Sequence, residues 1–242
     1  MDRSSQTMAA RDVSVRFGGL TAVSDVSIQI TRLEILGLIG PNGAGETTLV
    51  NCLTGFLAPT SGGIRLGERE ISGWSPKEFR RAGISRTFQA GRLFKEMSVL
   101  ENVEVVAVAL GAGRQDARRQ AFEILDWLGL GNKIEVVAGA LPYTDERRVG
   151  IARALVGKPA FVLMDEPAAG MSDHECEELI AIIQRLPKLF GCGVLLIEHN
   201  MHVVMNICDK IHVLDGGRTL AEGAPAAIQS NKDVIFAYLG SG

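Results

Sequence analysis

The 242-residue chain predicts an α/β fold on a mostly parallel central sheet, and three observations carry that prediction. An apolar run, Ile35 to Ile39, enters a glycine-rich turn, Gly40 to Gly45, after which Thr47, Thr48, Leu49 and Val50 begin a helix. Two more apolar runs, ending at Met164 and Ile197, have strand length and close on polar pairs, Asp165-Glu166 and Glu198-His199. Helical periodicity fills the intervals. Buried strands alternating with amphipathic helices are what a parallel sheet covered on both faces requires.

The elements follow in chain order. Val13 to Phe17 and Val26 to Ile30 alternate in the β manner around Gly18-Gly19, which predicts antiparallel strands ahead of the central one. Gly62 to Leu66 reads as a short strand turning at Gly67, Pro76 to Arg81 as a helical turn or two, and Gly83 to Gln89 as another strand. Ser98 with Glu101 three residues on has the capping-box spacing. Arg114 to Leu128 has helical periodicity and stops at Gly129, and Pro142 to Val156 is a third helix with Pro142 at or near its first position. Asp173 to Leu189 is an amphipathic helix. The chain closes on a last strand, Ile211 to Leu214, and a tail, Pro225 to Leu239, of a short helix and an apolar end.

Hydrophobic residues make up 46% of the chain and charged ones 22%, enough for a real core. A net charge of −3 argues against a general nucleic-acid binder. Cys52, Cys176, Cys192 and Cys208 lie far apart without metal-site spacing, which predicts reduced packing residues. Met1 to Arg11 lacks an apolar segment of the secretory kind, and no apolar stretch reaches bilayer length.

The strand–glycine turn–helix stretch has the layout of a phosphate-binding loop, G-x-x-x-x-G-K-[ST], in which backbone N–H groups and the helix N-terminus cradle phosphate. Asn42, Gly43, Ala44, Gly45, Glu46, Thr47 and Thr48 form that cradle here, and Glu46 stands where the motif has lysine. Downstream, Asp165 at the mouth of a buried strand suits a Mg²⁺ held together with Thr47, and Glu166 beside it suits activation of a water.

In these stretches the sequence resembles the ATP-binding cassette (ABC) family over essentially its full length, and within it the LivG-type ATPases of branched-chain amino-acid importers. Arg86-Thr87-Phe88-Gln89, the run Arg92 to Val103, Asp165 to Gly170 and the ending Ala237-Tyr238-Leu239-Gly240 carry the resemblance. It implies a P-loop NTPase of the ABC-ATPase fold: a core over about 1–89 and 158–242 with an antiparallel β subdomain, and a helical signature subdomain over 90–157. It implies ATP and Mg²⁺ as cofactors, Phe17 as the ring on which adenine stacks, Gln89 as a Mg²⁺-sensing residue and His199 as the γ-phosphate contact. The implied catalytic set is Glu166, His199 and Gln89, and the implied metal set is Thr47, Gln89 and Asp165. The implied partners are membrane permease subunits, a second ATPase subunit and, indirectly, a substrate-binding protein, at the cytoplasmic face of a prokaryotic inner membrane.

Three positions depart from the family pattern. Glu46 replaces the lysine that bridges the β- and γ-phosphates, and its side chain has three ways out: to swing outward, to take a proton or to recruit a cation. Leu141-Pro142-Tyr143-Thr144-Asp145-Glu146 replaces the Leu-Ser-Tyr-Gly-Glu-Gln signature, removing the serine hydroxyl and the flexible glycine. Ser172 stands where Asp or Asn is usual. In a head-to-tail homodimer these changes touch both faces of each composite site, and beside a normal partner one site lacks the lysine and the other the serine and glycine, so the expected engine is one whose turnover is severely reduced. The second reading is a degenerate cassette with a binding or regulatory role and no catalytic cycle.

Overall fold

The computed structural model describes residues 7–88 and 92–239. Two long strands, β1 (Thr7–Phe17) and β2 (Leu20–Thr31), run antiparallel into the central β3 (Ile35–Ile39). After the glycine turn comes α1 (Glu46–Leu53), then β4 (Ser61–Leu66), β5 (Arg69–Glu70), α2 (Pro76–Arg81) and β6 (Ile84–Arg86). The middle of the chain is helical: α3 (Val99–Ala109), α4 (Arg114–Trp127) and α5 (Tyr143–Leu155). The last third alternates: β7 (Phe161–Asp165), α6 (Asp173–Phe190), β8 (Gly193–Ile197), α7 (Met201–Ile207), β9 (Lys210–Asp215), β10 (Arg218–Gly223), α8 (Pro225–Gln229) and α9 (Lys232–Leu239).

These strands make two sheets. One is antiparallel, in the order β2-β1-β4-β5; the other runs β10-β9-β3-β8-β7-β6 and is parallel except at its β10 edge. All five residues of β3 and of β8 are buried, as strands covered on both faces must be. The core divides along that sheet. One cluster joins its β1–β2 side with Leu36, Leu38 and α1; the other joins Ile35 and Ile39 with α3, α4, α5 and α6. Each fully buried Leu or Ile contributes about 1.5–3 kcal/mol.

Local signals explain most boundaries. The Ser98/Glu101 capping box closes as expected, with Glu101 N donating to Ser98 Oγ at 3.2 Å and Ser98 N donating to Glu101 Oε2 at 2.8 Å. Pro142 is the N-cap of α5, one place ahead of the helix, where its missing N–H leaves no intrahelical bond unmade. Half-buried Arg80 donates to Val156 O at 2.6 Å, placing a cation on the carbonyl end of α5; partial desolvation pulls its pKa down to about 10. All four cysteines are buried and free.

Three of these features differ from the sequence expectation. Ile211 to Leu214 is not the last strand, because Arg218–Gly223 adds an antiparallel edge strand to β9. Its residues are exposed or half-buried, so no apolar alternation marks it. The tail forms two helices, and β1 begins six residues before Val13, its register shifted by bulges beyond Ala10 that break the period-two pattern.

Candidate functional site

The carboxyl ends of β3, β7 and β8 meet at one edge of the sheet, because β8 pairs in parallel with both of the others. Loops leaving those ends therefore converge, whatever their separation in sequence. Ligands of open α/β sheets bind at such edges.

The glycine turn leaves β3 at its tip. Gly43 and Gly45 take positive φ values of 82° and 108°, and Gly45 caps α1. Gly40 is required by crowding: a Cβ there would lie 2.5 Å from both Ala44 Cβ and Leu214 O. Ala44 N donates to Pro41 O at 2.9 Å, and Ala44 O accepts from Gly217 N at 3.0 Å, pinning the turn to the β9–β10 hairpin. Asn42, Gly43 and Thr47 stay exposed at the rim, and Thr48 is half-buried. The shape is a concave backbone cradle at a helix start, which suits phosphate.

Glu46 does not swing outward. Its side chain is 6% exposed, and its Oε1 is buried without a hydrogen-bond partner against the space beside Gly40. Burial first of all, with nearby Glu166 adding to it, raises its pKa, against hydrogen bonds from the Gly45 and Glu46 backbone and the charge of His199. The cradle thus fits a phosphate by shape and opposes it by charge. Because the folded-state pKa is raised, ionising Glu46 costs stability: the fold is unpenalised below the unfolded carboxylate range and loses stability as pH rises through the raised value. Glu46→Gln is therefore expected to melt higher than the parent at pH 8, with the gain shrinking toward pH 5. An unmet buried carboxylate is worth about 1–3 kcal/mol, which is roughly 2–10 °C for a chain of this size. Calorimetric melts across that pH range check it, and an equal gain at both ends would refute the assignment.

Asp165 ends β7, and Glu166 follows with φ of 45°, a left-handed conformation for a non-glycine residue, held by Glu166 N donating to Ile197 O at 2.9 Å. That turn aims the two carboxylates differently. Glu166 Oε1 lies 3.3 Å from His199 Nε2, so the structure brings these two candidate site residues together. Asp165 faces a cleft of about 690 Å³ that Thr47, Asn51, Arg86 and Arg147 also line. Thr47 and Asp165 thus present a hydroxyl and a carboxylate to one space, a donor set suited to a hard divalent cation. Phe17, at the end of β1, is 51% exposed and so is a surface ring, not a core one. Gln89 lies outside the described residues.

Three participants were missed from sequence. Arg86 Nη2 donates to Asp165 Oδ2 and its Nη1 to Asn51 Oδ1, both at 2.6 Å. Glu198, 3% exposed, accepts from Ala168 N at 2.6 Å and so ties the loop after β7 to the loop after β8; burial raises its pKa. Tyr238 of α9 reaches the charge field of Glu46, and burial together with that charge pushes its phenol up to about 12. Arg86 stood in a stretch already singled out, but nothing local distinguishes an arginine that bridges two elements from one in solvent.

The signature segment is engaged within its own subunit. Tyr143 Oη donates to Ala169 O at 3.0 Å, Asp145 pairs with Lys133, and Glu146 pairs with Lys95. Pro142 is exposed and Thr144 half-buried, so neither altered side chain is needed by the core.

Comparison with known proteins agrees with this geometry. Residues 23–169 match the family model described as ABC transporter, and residues 218–242 match that of the branched-chain amino acid ATP-binding cassette transporter. The chain is 42% identical to the high-affinity branched-chain amino acid transport ATP-binding protein LivG of Salmonella typhimurium, over 96% of this chain and 97% of that one. It is 41% identical to BraF of Pseudomonas aeruginosa, a protein of the same description, over 94% and 95% of the two chains. Among solved structures, the ADP conformation of MJ1267, an ATP-binding cassette of an ABC transporter, superposes with a TM-score of 0.88 at 30% identity, covering 97% of this chain and 99% of that one.

Proposed function

The chain belongs to the ABC transporter family of ATP-binding cassettes, and on that footing we propose that it is the ATP-binding subunit of an importer for branched-chain amino acids, with turnover severely reduced. The length-wide likeness to LivG and BraF supports the import role. One observation carries the reduced turnover: a carboxylate with a buried, unpartnered oxygen occupies the floor of the phosphate cradle.

In this reading Phe17 offers a ring to adenine and Asn42 to Thr48 wrap the phosphates. Thr47 and Asp165, with Gln89, would hold Mg²⁺, whose role is to offset phosphate charge. Glu166 takes a proton from water, and His199, 3.3 Å away, steadies both that carboxylate and the γ-phosphate. The helical lobe over 90–157 presents its signature end to a second subunit, where Pro142 and Thr144 leave the partner's γ-phosphate without a hydroxyl or a close backbone. No described helix is long and apolar enough to cross a membrane; in this reading, from its likeness to importer ATP-binding subunits, the chain sits at the cytoplasmic face of the membrane and works with permease subunits.

The decisive experiment is an ATPase assay on the chain co-purified with permease subunits of a branched-chain amino-acid importer. Co-purification with hydrolysis near background is the expected result. Hydrolysis at the rate of an intact cassette overturns the reduced-turnover claim, and failure to associate with any permease overturns the import role. The buried Glu46 also favours a second reading, a non-hydrolysing cassette with a binding or regulatory role, which nucleotide-independent association with the permease would support.

A further inference from the structure

A short charged contact at the site joins Asp165 to Arg86. Their side chains are 12% and 8% exposed, so water screens the pair weakly. The guanidinium has a second anchor in Asn51, one turn beyond Thr47 on α1, and lies against the Phe88 and Phe56 rings at 5.3 and 5.9 Å from their centroids. Its Nε is buried without a partner, so the two Nη bonds are what hold it in place. The planar fork of arginine suits two fixed acceptors in different elements.

We propose that Arg86 is a positioning residue for the cation site: it bridges α1 to Asp165 and serves as a built-in counter-ion on the carboxylate, so that a divalent cation must compete with it. The inference rests on the reading that Thr47 and Asp165 form that site. A divalent ion at Asp165 meets a fixed positive charge a few ångströms away in a poorly screened setting. Removing the guanidinium frees Asp165 Oδ2 and leaves a largely shielded charge that itself demands a cation. The contact therefore keeps the ion weakly held until another ligand adds to it.

The test is Mn²⁺ titration of the nucleotide-free chain, followed by electron paramagnetic resonance, for the parent, Arg86→Gln, Arg86→Lys and Asp165→Asn. The expected result is at least tenfold tighter Mn²⁺ binding by Arg86→Gln than by the parent, with Arg86→Lys between them. A purely structural arginine predicts the opposite, since losing the bridge loosens the donor pair; unchanged or weaker binding by a folded Arg86→Gln overturns the proposal. Asp165→Asn separates the layers. If it weakens Mn²⁺ binding while Arg86→Gln changes nothing, the site reading stands and the counter-ion role falls; if it has no effect, both fall. Should Arg86→Gln fail to fold, the guanidinium resonance of Arg86 in the parent, assigned by its loss in Arg86→Lys, serves instead. Bound Mn²⁺ must broaden it, and binding without broadening refutes the shared carboxylate.

Discussion

Glu46→Lys is expected to tighten Mg-ATP binding by about one to three orders of magnitude. At roughly 4 Å and an effective dielectric near 20, one unit charge pair is worth about 4 kcal/mol. The substitution exchanges repulsion for attraction, and counter-ions and side-chain rotation reduce the net, so about 1.4–4 kcal/mol remains, which is the stated range. The structure sharpens the expectation. Glu46 is packed inward, with Oε1 unmet beside Gly40, so the charge cannot escape to solvent as a surface glutamate would. Calorimetric titration with a non-hydrolysable ATP analogue checks it. Equal affinity in parent and variant would overturn this electrostatic account.

Turnover calls for more than the lysine. Glu46→Lys alone should leave a homodimer slow, because each composite site still faces Pro142 and Thr144. Adding Pro142→Ser and Thr144→Gly is expected to raise the steady-state rate by a further ~100-fold or more, the scale on which single transition-state hydrogen-bond donors act. The structure favours tolerance of both changes. Pro142 sits outside the helix as N-cap, where serine is a preferred residue, and Thr144 is half-buried at the surface of α5. Asp145 and Glu146 stay paired with Lys133 and Lys95 in any of these variants, so the segment keeps its anchors. A triple variant no faster than Glu46→Lys alone would place the defect elsewhere, for example in the loop that Glu198 and Ser172 organise.

The residue pattern carried far. The order Gly40 to Gly45, then Asp165-Glu166, then His199 implied a parallel sheet with its loops on one edge, and the structure has that sheet. The reason is physical. A phosphate cradle needs glycines that accept positive φ, and a strand buried on both faces needs an unbroken apolar run, so both leave a local signature. Capping boxes at Ser98 and Ser75 are equally local. The polar edge strand β10 carries no such signature, because an edge position asks little of its side chains.

Identity at single positions was likewise legible: the sequence by itself determined that a carboxylate replaces the lysine and that a proline and a threonine replace the serine and glycine. It did not determine where that carboxylate points. Outward rotation, protonation and cation capture were equally open, and only the packing of Gly40, Ala44 and the β9–β10 hairpin around the cradle closed off the first. Nor could it pair Arg86 with Asp165 across 79 positions or bring Tyr238 of the tail to Glu46. Those contacts depend on which strands lie side by side, and strand order is set by burial over the whole sheet, not by the residues that end up touching.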